Sequence, residues 1–278
     1  MAGQLAKARR FGSLHEGPGA FVMPNAWDAG TARLLAGLGF EAIGTTSAGL
    51  ALSLGRPDGQ GAVSLDETLA NARAIVEAVD VPVSADLENG FGHAPAACAR
   101  TIRLAAATGL AGGSIEDATG EQQRPVYDFQ EAVERVAAAA EAARALAQPF
   151  VLTARAENFL HGRPDLDDTI RRLQAFAGVG ADVLYAPGLP DLEAIRTVCA
   201  AVGKPVNVVM GLRQETFPVA ELEQAGVRRI SIGGAFARAA FGAFLEVARS
   251  VREEGRFERA AQAPPTAALL RSMNGGTC

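Results

Sequence analysis

Short runs of β-forming residues recur along the chain, and a segment with helical periodicity follows each of them. The predicted strands are residues 21–24, 42–46, 81–86, 112–116, 150–155, 183–186, 206–209 and 229–232. The predicted helices between them include 65–79, 94–108, 128–146, 165–177, 192–201 and 219–224. Strands that alternate with helices at this spacing indicate a parallel sheet. Eight such units in 278 residues predict an α/β fold, a single closed (β/α)8 barrel of the TIM type.

The signals at the segment ends support this interpretation. Ser64 and Glu67 have the spacing of a capping box, and Asp165 and Asp191 are candidate N-caps. The alternative, an open doubly wound sheet, needs a glycine-rich dinucleotide turn after the first strand, whereas residues 25–28 read Asn-Ala-Trp-Asp. We therefore expect one domain over residues 1–278, with its core at about 11–254 and a C-terminal tail at about 260–278.

Composition excludes several classes of protein. With 49% hydrophobic and 21% charged residues the chain can bury a large core, and charged residues and glycines interrupt every apolar run before it reaches membrane-spanning length. The net charge of −5, without a basic cluster, argues against a nucleic-acid partner. Cys98, Cys199 and Cys278 are odd in number and widely spaced, which fits neither disulfides nor a zinc site. We expect a soluble cytoplasmic protein with no membrane partner.

Polar residues follow most of the predicted strands. They occupy positions 25, 45–47, 86–89, 116–117, 155–158, 187–188, 207 and 233–234. In a parallel barrel the carboxyl ends of all strands meet at one mouth, where catalytic groups lie. The pattern therefore predicts a polar pocket and an enzyme. The alternative is a structural barrel in which these groups only cap loops.

Three carboxylates are expected to converge at this mouth. Asp86 and Glu88 are two residues apart at a strand end, so both can point the same way, and Glu116 ends the next strand. Like charges this close raise one another's pKa unless a cation neutralises them, which favours a hard divalent ion such as Mg2+. Two alternatives stay open: one carboxyl group kept protonated for acid–base work without a metal, or Glu116 and Asp117 as caps of the next loop.

Two further features indicate an acidic substrate. Arg155 ends the fifth predicted strand and is suited to bidentate recognition of a carboxylate, although Glu157 could simply hold it. The turn at Ser47, Ala48 and Gly49 can offer a hydroxyl and successive backbone N–H groups to an oxyanion. A divalent cation, an arginine and an amide nest together suit a small 2-oxo or 2-hydroxy acid and the stabilisation of its enolate.

The histidines and cysteines carry less information. His15 lies before the barrel, and His93 opens a predicted helix, so neither is expected to be catalytic. His161 follows Arg155 in a loop and could border the pocket, although a surface position is favoured. Cys98 and Cys199 lie on helical patterns and are interpreted as core or interface residues.

Six segments together resemble one known superfamily. They are FVMPNAWD at 21–28, TSAG at 46–49, GRPDG at 55–59, DLENGFG at 86–92, IED at 115–117 and ARAE at 154–157. In order and spacing they are similar to the isocitrate lyase/phosphoenolpyruvate mutase superfamily, from about residue 11 to residue 254. The resemblance implies a (β/α)8 barrel whose last helix swaps between subunits, giving homodimers that pair into homotetramers. It also implies Mg2+, with Mn2+ as a substitute, and small carboxylate substrates cleaved or rearranged at a C–C or P–C bond through an enolate.

The resemblance also assigns roles to positions of this chain. It makes Asp86 the direct metal ligand, with three carboxylates holding the ion through water: Asp58, Glu88 and Glu116. It makes the carboxylate cradle from Ser47 and the amides of Ala48 and Gly49. Arg155 is placed on the substrate, with Ser47 and Glu116 as the other catalytic candidates, and Asn207 lines the pocket from the seventh predicted strand.

Two departures from the family pattern bear on the reaction. Members often carry Asp-x-Asp where this chain has Asp86-Leu87-Glu88, a change that should preserve metal binding. The gating loop at 117–127, DATGEQQRPVY, lacks the cysteine of the isocitrate and methylisocitrate lyases and the lysine and asparagine of the phosphonate mutases. Decarboxylation of an oxaloacetate-like acid is the reaction that least needs an acid–base residue from that loop. Arg124 or Gln122 would then contact the distal end of the substrate. The alternatives are a phosphonopyruvate mutase or hydrolase, and a barrel that only binds a 2-oxo acid.

The segment 235–254 is amphipathic, with Phe236, Phe241 and Phe244 near helical spacing. A helix that closes its own barrel and a helix swapped with a neighbouring subunit both fit this pattern. The resemblance favours the swapped helix and a homo-oligomer.

Overall fold

The computed structural model describes residues 2–59, 61–212 and 215–273. Cys278 and the last residues of the predicted tail lie outside these ranges. The strands of the described chain are β1 Phe21–Met23, β2 Asn25–Ala26, β3 Ile43–Thr45, β4 Val83–Asp86, β5 Gly112–Glu116, β6 Val151–Arg155, β7 Val183–Tyr185, β8 Val206–Val209 and β9 Arg229–Ser231.

These strands close into a parallel barrel. Each strand from β2 to β8 pairs in parallel with the next in sequence, and β9 also pairs in parallel with β1. Since β1 and β2 are consecutive parts of one segment, the sheet returns to its starting point. Pro24, which has no N–H to give to a ladder, separates the part bonded to β9 from the part bonded to β3. The predicted (β/α)8 architecture is confirmed, with the first predicted strand divided in two.

The helices alternate with the strands. They are α1 Ala2–Glu16, α2 Ala29–Gly37, α3 Ser47–Ser53, α4 Leu65–Ala78, α5 Pro95–Ala107, α6 Phe129–Arg144, α7 Leu166–Val179, α8 Leu192–Ala201, α9 Val219–Gln224, α10 Ala235–Arg249, α11 Glu258–Ala261 and α12 Thr266–Met273. A π-helical segment, Ser250–Glu254, continues α10. The six helices predicted between strands all form, within two residues at each end. No bounds were predicted from the sequence for α1, α2, α3, α11 and α12.

The predicted caps form as expected. The Ser64 hydroxyl accepts the N–H of Glu67, and the Glu67 carboxylate accepts the N–H of Ser64, which completes the capping box of α4. The Asp165 side chain accepts the N–H of Asp168 at the start of α7. Each such cap contributes about 1 kcal/mol to stability.

The apolar core lies mainly between the strands and their covering helices. Ile75 and Ile102 belong to one half of it, and Leu173 and Val208 belong to the other. Helix α1 contributes Phe11 to a smaller cluster with residues of β1, β6 and β7. The helices and strands are thereby fixed to one another, so the loops at the carboxyl ends of the strands start from a rigid frame.

Helix α10 packs against α3 and β2 of its own chain. It buries Ala237, whereas Phe236 and Phe244 are exposed. Exchange of this helix between subunits stays a prediction. Across the described ranges, every helix is too short or too polar to cross a bilayer.

Candidate active site

A cavity of about 670 Å³ opens among the loops that follow the strands, and five of the ten predicted site residues line it. Its wall includes Ser47 at the start of α3, Asp58 in the α3–α4 loop and Glu88 after β4. Glu116 at the end of β5 and Arg155 at the end of β6 complete the charged part. The carboxyl ends of parallel strands meet at this edge of the barrel, as predicted.

The loop after β4 is a tight turn that carries two residues in the left-handed region. Glu88 has φ +46° and Phe91 has φ +57°, while Gly90 between them has φ +83°. A side chain at Gly90 would begin 2.9 Å from the Sγ atom of Cys98 in α5. A residue other than glycine at such an angle costs about 1 kcal/mol or more, so packing maintains the turn. The turn leaves Glu88 in the cavity wall.

Asp86 lies at the centre of the polar cluster. The Ser47 hydroxyl donates to Asp86 Oδ2 at 3.0 Å, and the Ser47 N–H points to the same atom at 3.4 Å. Arg155 Nη1 lies 3.7 Å from Asp86 Oδ1. The backbone N–H of Asp86 donates to the Thr45 hydroxyl at 3.0 Å, which fixes the end of β4 against β3.

Arg155 is surrounded by carboxylates and by one aromatic ring. Its Nη1 atom is 3.3 Å from Glu116 Oε2, and its Nε–H donates to Glu157 in a short hydrogen bond. Its guanidinium lies 5.1 Å from the centre of the Tyr185 ring. The neighbouring carboxylates raise its pKa despite burial, so it stays charged. Glu157 does hold Arg155, and it does so from the Nε side, leaving Nη1 on the side of Asp86 and Glu116.

Three of the four clustered carboxyl groups resist ionisation. Burial, followed by repulsion from Asp86, raises the pKa of Asp58. The same two causes, with Asp58 added, raise the pKa of Glu88 to about 7. Burial raises the pKa of Glu116 well above its ordinary value, although Arg155 opposes the rise. A cation among these groups would favour their charged forms and relieve the repulsion.

The donor set fits a hard, partly hydrated divalent ion. Carboxylate oxygens are the ligands that Mg2+ prefers, and it commonly keeps several waters and takes only one or two carboxylates directly. Among the residues that the structure describes, no three His, Cys, Asp or Glu side chains are close enough to hold an ion directly. The arrangement therefore suits one direct carboxylate with others acting through water, and it does not suit a closed protein cage.

The predicted cradle at the start of α3 is partly engaged within the helix. Thr46 caps α3, and the N–H of Gly49 donates to its hydroxyl at 3.3 Å. A Cβ atom at Gly49 would lie 2.6 Å from the Thr46 methyl group and 2.8 Å from Trp27 Cβ, so only glycine fits. Ser47 lines the cavity, and Ala48 follows it in the first turn. The structure thus brings Ser47 to the site and turns the Gly49 N–H toward Thr46.

Asn207 lies deeper than the main cavity. It is buried in β8, where its Nδ2 donates to the Ser231 hydroxyl at 3.0 Å and its Oδ1 accepts from Arg229 at 2.8 Å. It lines a small cavity of about 60 Å³ inside the barrel, which Asp86 and Arg155 also border. Asn207 thus lies beneath the charged cluster, and its predicted contact with substrate stays a prediction.

Arg124 in the gating loop is paired with carboxylates of its own region. Its Nη1 donates to Glu131 at 2.9 Å, and its Nε lies 3.8 Å from Glu121. The loop residues that line the main cavity include Thr119 and Glu121. A contact between Arg124 and the substrate would require these ion pairs to break, and it stays a prediction.

Asp117 has a structural role beside the site. Its Oδ1 accepts the N–H of Glu157 at 2.7 Å, and its Oδ2 lies 3.0 Å from Arg172 Nη1. Burial raises the pKa of Asp117 to about 6, with Arg172 opposing the rise. The Asp117 side chain thus joins the end of β5 to the loop after β6 and to α7, and Glu116 lines the cavity.

Two histidines also line the cavity, and both are exposed to solvent. His93 Nδ1 forms a 2.8 Å hydrogen bond with the Tyr127 hydroxyl, and His93 Nε2 lies 3.5 Å from Glu121 Oε1. His161 Nε2 lies 3.7 Å from Glu157 Oε2. No spacing motif marks either residue, but both lie in loops that follow barrel strands, a position that could have identified them.

The family model for phosphoenolpyruvate phosphomutase matches residues 11–252. The 2,3-dimethylmalate lyase of Eubacterium barkeri is 31% identical over 214 residues, covering 74% of this chain and 72% of that protein. The oxaloacetate decarboxylase of Bradyrhizobium diazoefficiens is 30% identical over 263 residues, covering 89% and 86%.

A solved structure extends the likeness over the full length. It is that of a Burkholderia cenocepacia J2315 protein whose name places it with lyases or mutases and leaves its activity open. The two chains share 53% identity and a TM-score of 0.96, with 100% of both covered. The relatives with named activities include carbon–carbon lyases. The resemblance of the six sequence segments is thereby confirmed, and the chain belongs to the phosphoenolpyruvate phosphomutase family, within the isocitrate lyase/phosphoenolpyruvate mutase superfamily.

Proposed function

We propose that this protein is a Mg2+-dependent carbon–carbon lyase or decarboxylase that acts on a small 2-oxo or 2-hydroxy carboxylic acid. The observation that carries the proposal is the group of four carboxylates around Arg155 and Ser47, three of them with raised pKa values. Such a group is costly to assemble unless a cation and an acidic substrate complete it.

Asp86 is the proposed direct ligand of the ion, and Asp58, Glu88 and Glu116 are proposed to hold it through water. The position of Asp86 at the end of β4, with Ser47 on its Oδ2 atom, supports this role. Mg2+ bound here would supply Lewis-acid stabilisation of negative charge on a substrate oxygen. Mn2+ is expected to substitute.

Ser47 and Arg155 are the proposed substrate-binding groups, and the first-turn amides of Ala48 and Gly49 complete the proposed cradle. The Gly49 N–H would join it by exchanging its 3.3 Å hydrogen bond to Thr46 for one to the substrate. Glu157 holds the Nε side of Arg155, which keeps the Nη side directed into the cavity. A bound carboxylate would replace Asp86 and Glu116 as the partners of that edge, and the guanidinium is suited to such bidentate contact.

An oxaloacetate-like substrate is favoured for two reasons. The gating loop at 117–127 carries no cysteine, lysine or histidine for acid–base work, and CO2 can leave without a general base. The similarity to the oxaloacetate decarboxylase of Bradyrhizobium diazoefficiens supports the same choice.

We also propose a homo-oligomer in which α10 exchanges between subunits. Phe236 is 38% exposed and Phe244 is 67% exposed on this amphipathic helix, which leaves apolar surface for a second copy. Light scattering on the purified chain tests it: a dimer or tetramer supports the proposal, and a monomer contradicts it.

Product identity tests the proposed reaction. The purified protein would be supplied with Mg2+ and, separately, with oxaloacetate, 2-methylisocitrate, 2,3-dimethylmalate and phosphonopyruvate, and the products would be identified by NMR. Pyruvate and CO2 from oxaloacetate, well above the rate with Mg2+ alone, are expected. Phosphate from phosphonopyruvate would indicate phosphonate chemistry instead. No product from any of the four acids would refute the proposal and leave binding of a 2-oxo acid as the remaining role.

A further inference from the structure

This inference rests on the proposed function and concerns the proton that the reaction must supply. Cleavage of a C–C bond beside a 2-oxo group leaves an enolate, and a proton must reach its carbon to give the keto product. The gating loop at 117–127 holds no cysteine, lysine or histidine, whereas two histidines outside that loop, His93 and His161, line the cavity. Histidine is the side chain best suited to give a proton near neutral pH.

We propose that His93 is the catalytic residue that protonates the enolate carbon. His93 lies in the loop between β4 and α5, the same loop that carries Glu88, and both side chains line the main cavity. Its ring has a partner on each side: the Tyr127 hydroxyl 2.8 Å from Nδ1, and Glu121 Oε1 3.5 Å from Nε2. The ring is therefore oriented with Nε2 toward the gating-loop side of the cavity.

Arg135 contacts both His93 and Tyr127 and holds them in place. It is buried in α6, where its Nη1 donates to the Gly92 carbonyl at 2.9 Å and, in a short hydrogen bond, to the carbonyl of His93. Its guanidinium also lies over the Tyr127 ring, 4.1 Å from the ring centre. One buried side chain thus positions the His93 backbone and the phenol that contacts its ring. Such second-layer support is typical of groups that must be oriented for catalysis.

Tyr127 suits either protonation state of the imidazole. Burial raises the pKa of its hydroxyl, so the phenol keeps its proton. It can donate to Nδ1 of neutral imidazole and accept from Nδ1–H of imidazolium. Nε2 lies on the side of Glu121, and the His93 side chain is 55% exposed, which connects it to solvent protons.

His161 is the other histidine in the wall, and its contacts favour a different role. Its Nε2 lies 3.7 Å from Glu157, whose other oxygen accepts from Arg155. His161 therefore supports the carboxylate that holds Arg155. The contacts of His93, in contrast, do not include the Arg155 cluster within the described residues.

The proposed step balances without another reactant. Loss of CO2 breaks the C3–C4 bond of oxaloacetate, and its electron pair becomes the C2–C3 double bond of the enolate. The Nε2–H of the His93 imidazolium transfers its proton to C3, which gives the methyl group of pyruvate and leaves neutral imidazole. A solvent proton then restores the imidazolium.

The test separates proton transfer at carbon from C–C cleavage. The parent chain and His93→Gln would be loaded with Mg2+ and assayed for decarboxylation of oxaloacetate. Their ability to exchange the methyl protons of pyruvate in D2O would be followed by NMR. We expect His93→Gln to lower the exchange rate by about 100-fold or more and decarboxylation by a smaller factor. His161→Gln is the matched control, and its two rates are expected to change by the same factor.

A second variant guards against a folding defect. Tyr127→Phe keeps the ring under Arg135 and removes the hydroxyl from Nδ1, so exchange is expected to fall about tenfold more than decarboxylation. Thermal unfolding curves would establish that each variant is folded. Exchange within threefold of the parent in folded His93→Gln would overturn the inference, and so would parent-like exchange in Tyr127→Phe if His93→Gln does not fold.

The outcomes for the parent chain distinguish this inference from the proposed function. A parent that exchanges pyruvate protons without decarboxylating oxaloacetate refutes the favoured substrate, and the variants still identify the donor. A parent that decarboxylates without exchange refutes His93 as a donor to carbon. A parent with neither reaction refutes both.

Discussion

Glu88 should make the stability of the metal-free protein depend on pH. Burial and two neighbouring carboxylates raise its pKa from 4.5 to about 7. The folded state therefore binds the proton more tightly than the unfolded state does. Protonated Glu88 therefore stabilises the folded state relative to the ionised form. This stabilisation is fully present below pH 4.5, is lost as the pH rises toward 7, and stays lost above pH 7.

The size of this effect follows from the pKa difference. One pKa unit corresponds to about 1.4 kcal/mol, so the rise to about 7 gives an upper value of about 3 kcal/mol. Because Glu88 lines an open cavity, solvent screening reduces the expected value to about 2 kcal/mol. Replacing Glu88 by Gln should therefore stabilise the EDTA-treated protein by about 2 kcal/mol at pH 8 and by much less at pH 5.

Urea unfolding of EDTA-treated protein at pH 5 and pH 8, followed by circular dichroism, measures this difference. Glu77→Gln, at an exposed position on α4, is the matched control and should change stability equally at both pH values. Equal effects of Glu88→Gln at the two pH values would refute the reasoning, and so would destabilisation at pH 8. With Mg2+ added, the advantage of Glu88→Gln at pH 8 should disappear.

Two further substitutions test the frame around the site by urea unfolding. Arg172→Met leaves Asp117 buried without its ion pair and should lower the free energy of unfolding by about 3–5 kcal/mol. The control Arg171→Met, at an exposed position, should lower it by less than about 1 kcal/mol. Equal losses in the two variants would contradict the structural role of the Arg172–Asp117 pair. Gly90→Ala should lower the free energy of unfolding by about 2–4 kcal/mol, because the backbone is left-handed there and the new Cβ meets a cysteine of α5. The control Gly55→Ala has the same left-handed backbone but open space around it, so it should lose only about 1 kcal/mol. A loss in Gly90→Ala no larger than in Gly55→Ala would contradict the close packing at Gly90.

The repeating strand–helix pattern was enough to predict the barrel, because each strand is a short apolar run and each main helix carries its own end signals. The capping box of Ser64 and Glu67 formed as its spacing indicated. The pattern could not show that Pro24 divides the first strand, since that division depends on pairing with β9 on one side and β3 on the other. The start of helix α3, Thr46-Ser47-Ala48-Gly49, is typical of loops, so its sequence predicts a turn where the structure has a helix.

The residues of the candidate site were found where a strand end could be located, as for Asp86, Glu116 and Arg155. The orientation of groups that depend on packing was not accessible from sequence. The Gly49 N–H turns to Thr46, which only the local helix geometry determines. His93 enters the cavity wall because Tyr127 and a buried arginine hold its loop, and these contacts join segments far apart in the chain.

The metal dependence of oxaloacetate turnover shows whether the carboxylate cluster around Asp86 holds a catalytic Mg2+ ion. Pyruvate formation would be measured over a Mg2+ titration for the EDTA-treated parent, for Asp86→Asn, and for Asp66→Asn, which removes an exposed carboxylate on α4. Saturable Mg2+ activation is expected in the parent and in Asp66→Asn. Asp86→Asn is expected to lose more than about 100-fold, because the ion contributes several kcal/mol to stabilising the transition state. Full activity in EDTA, or an Asp86→Asn protein as active as the parent, would contradict it.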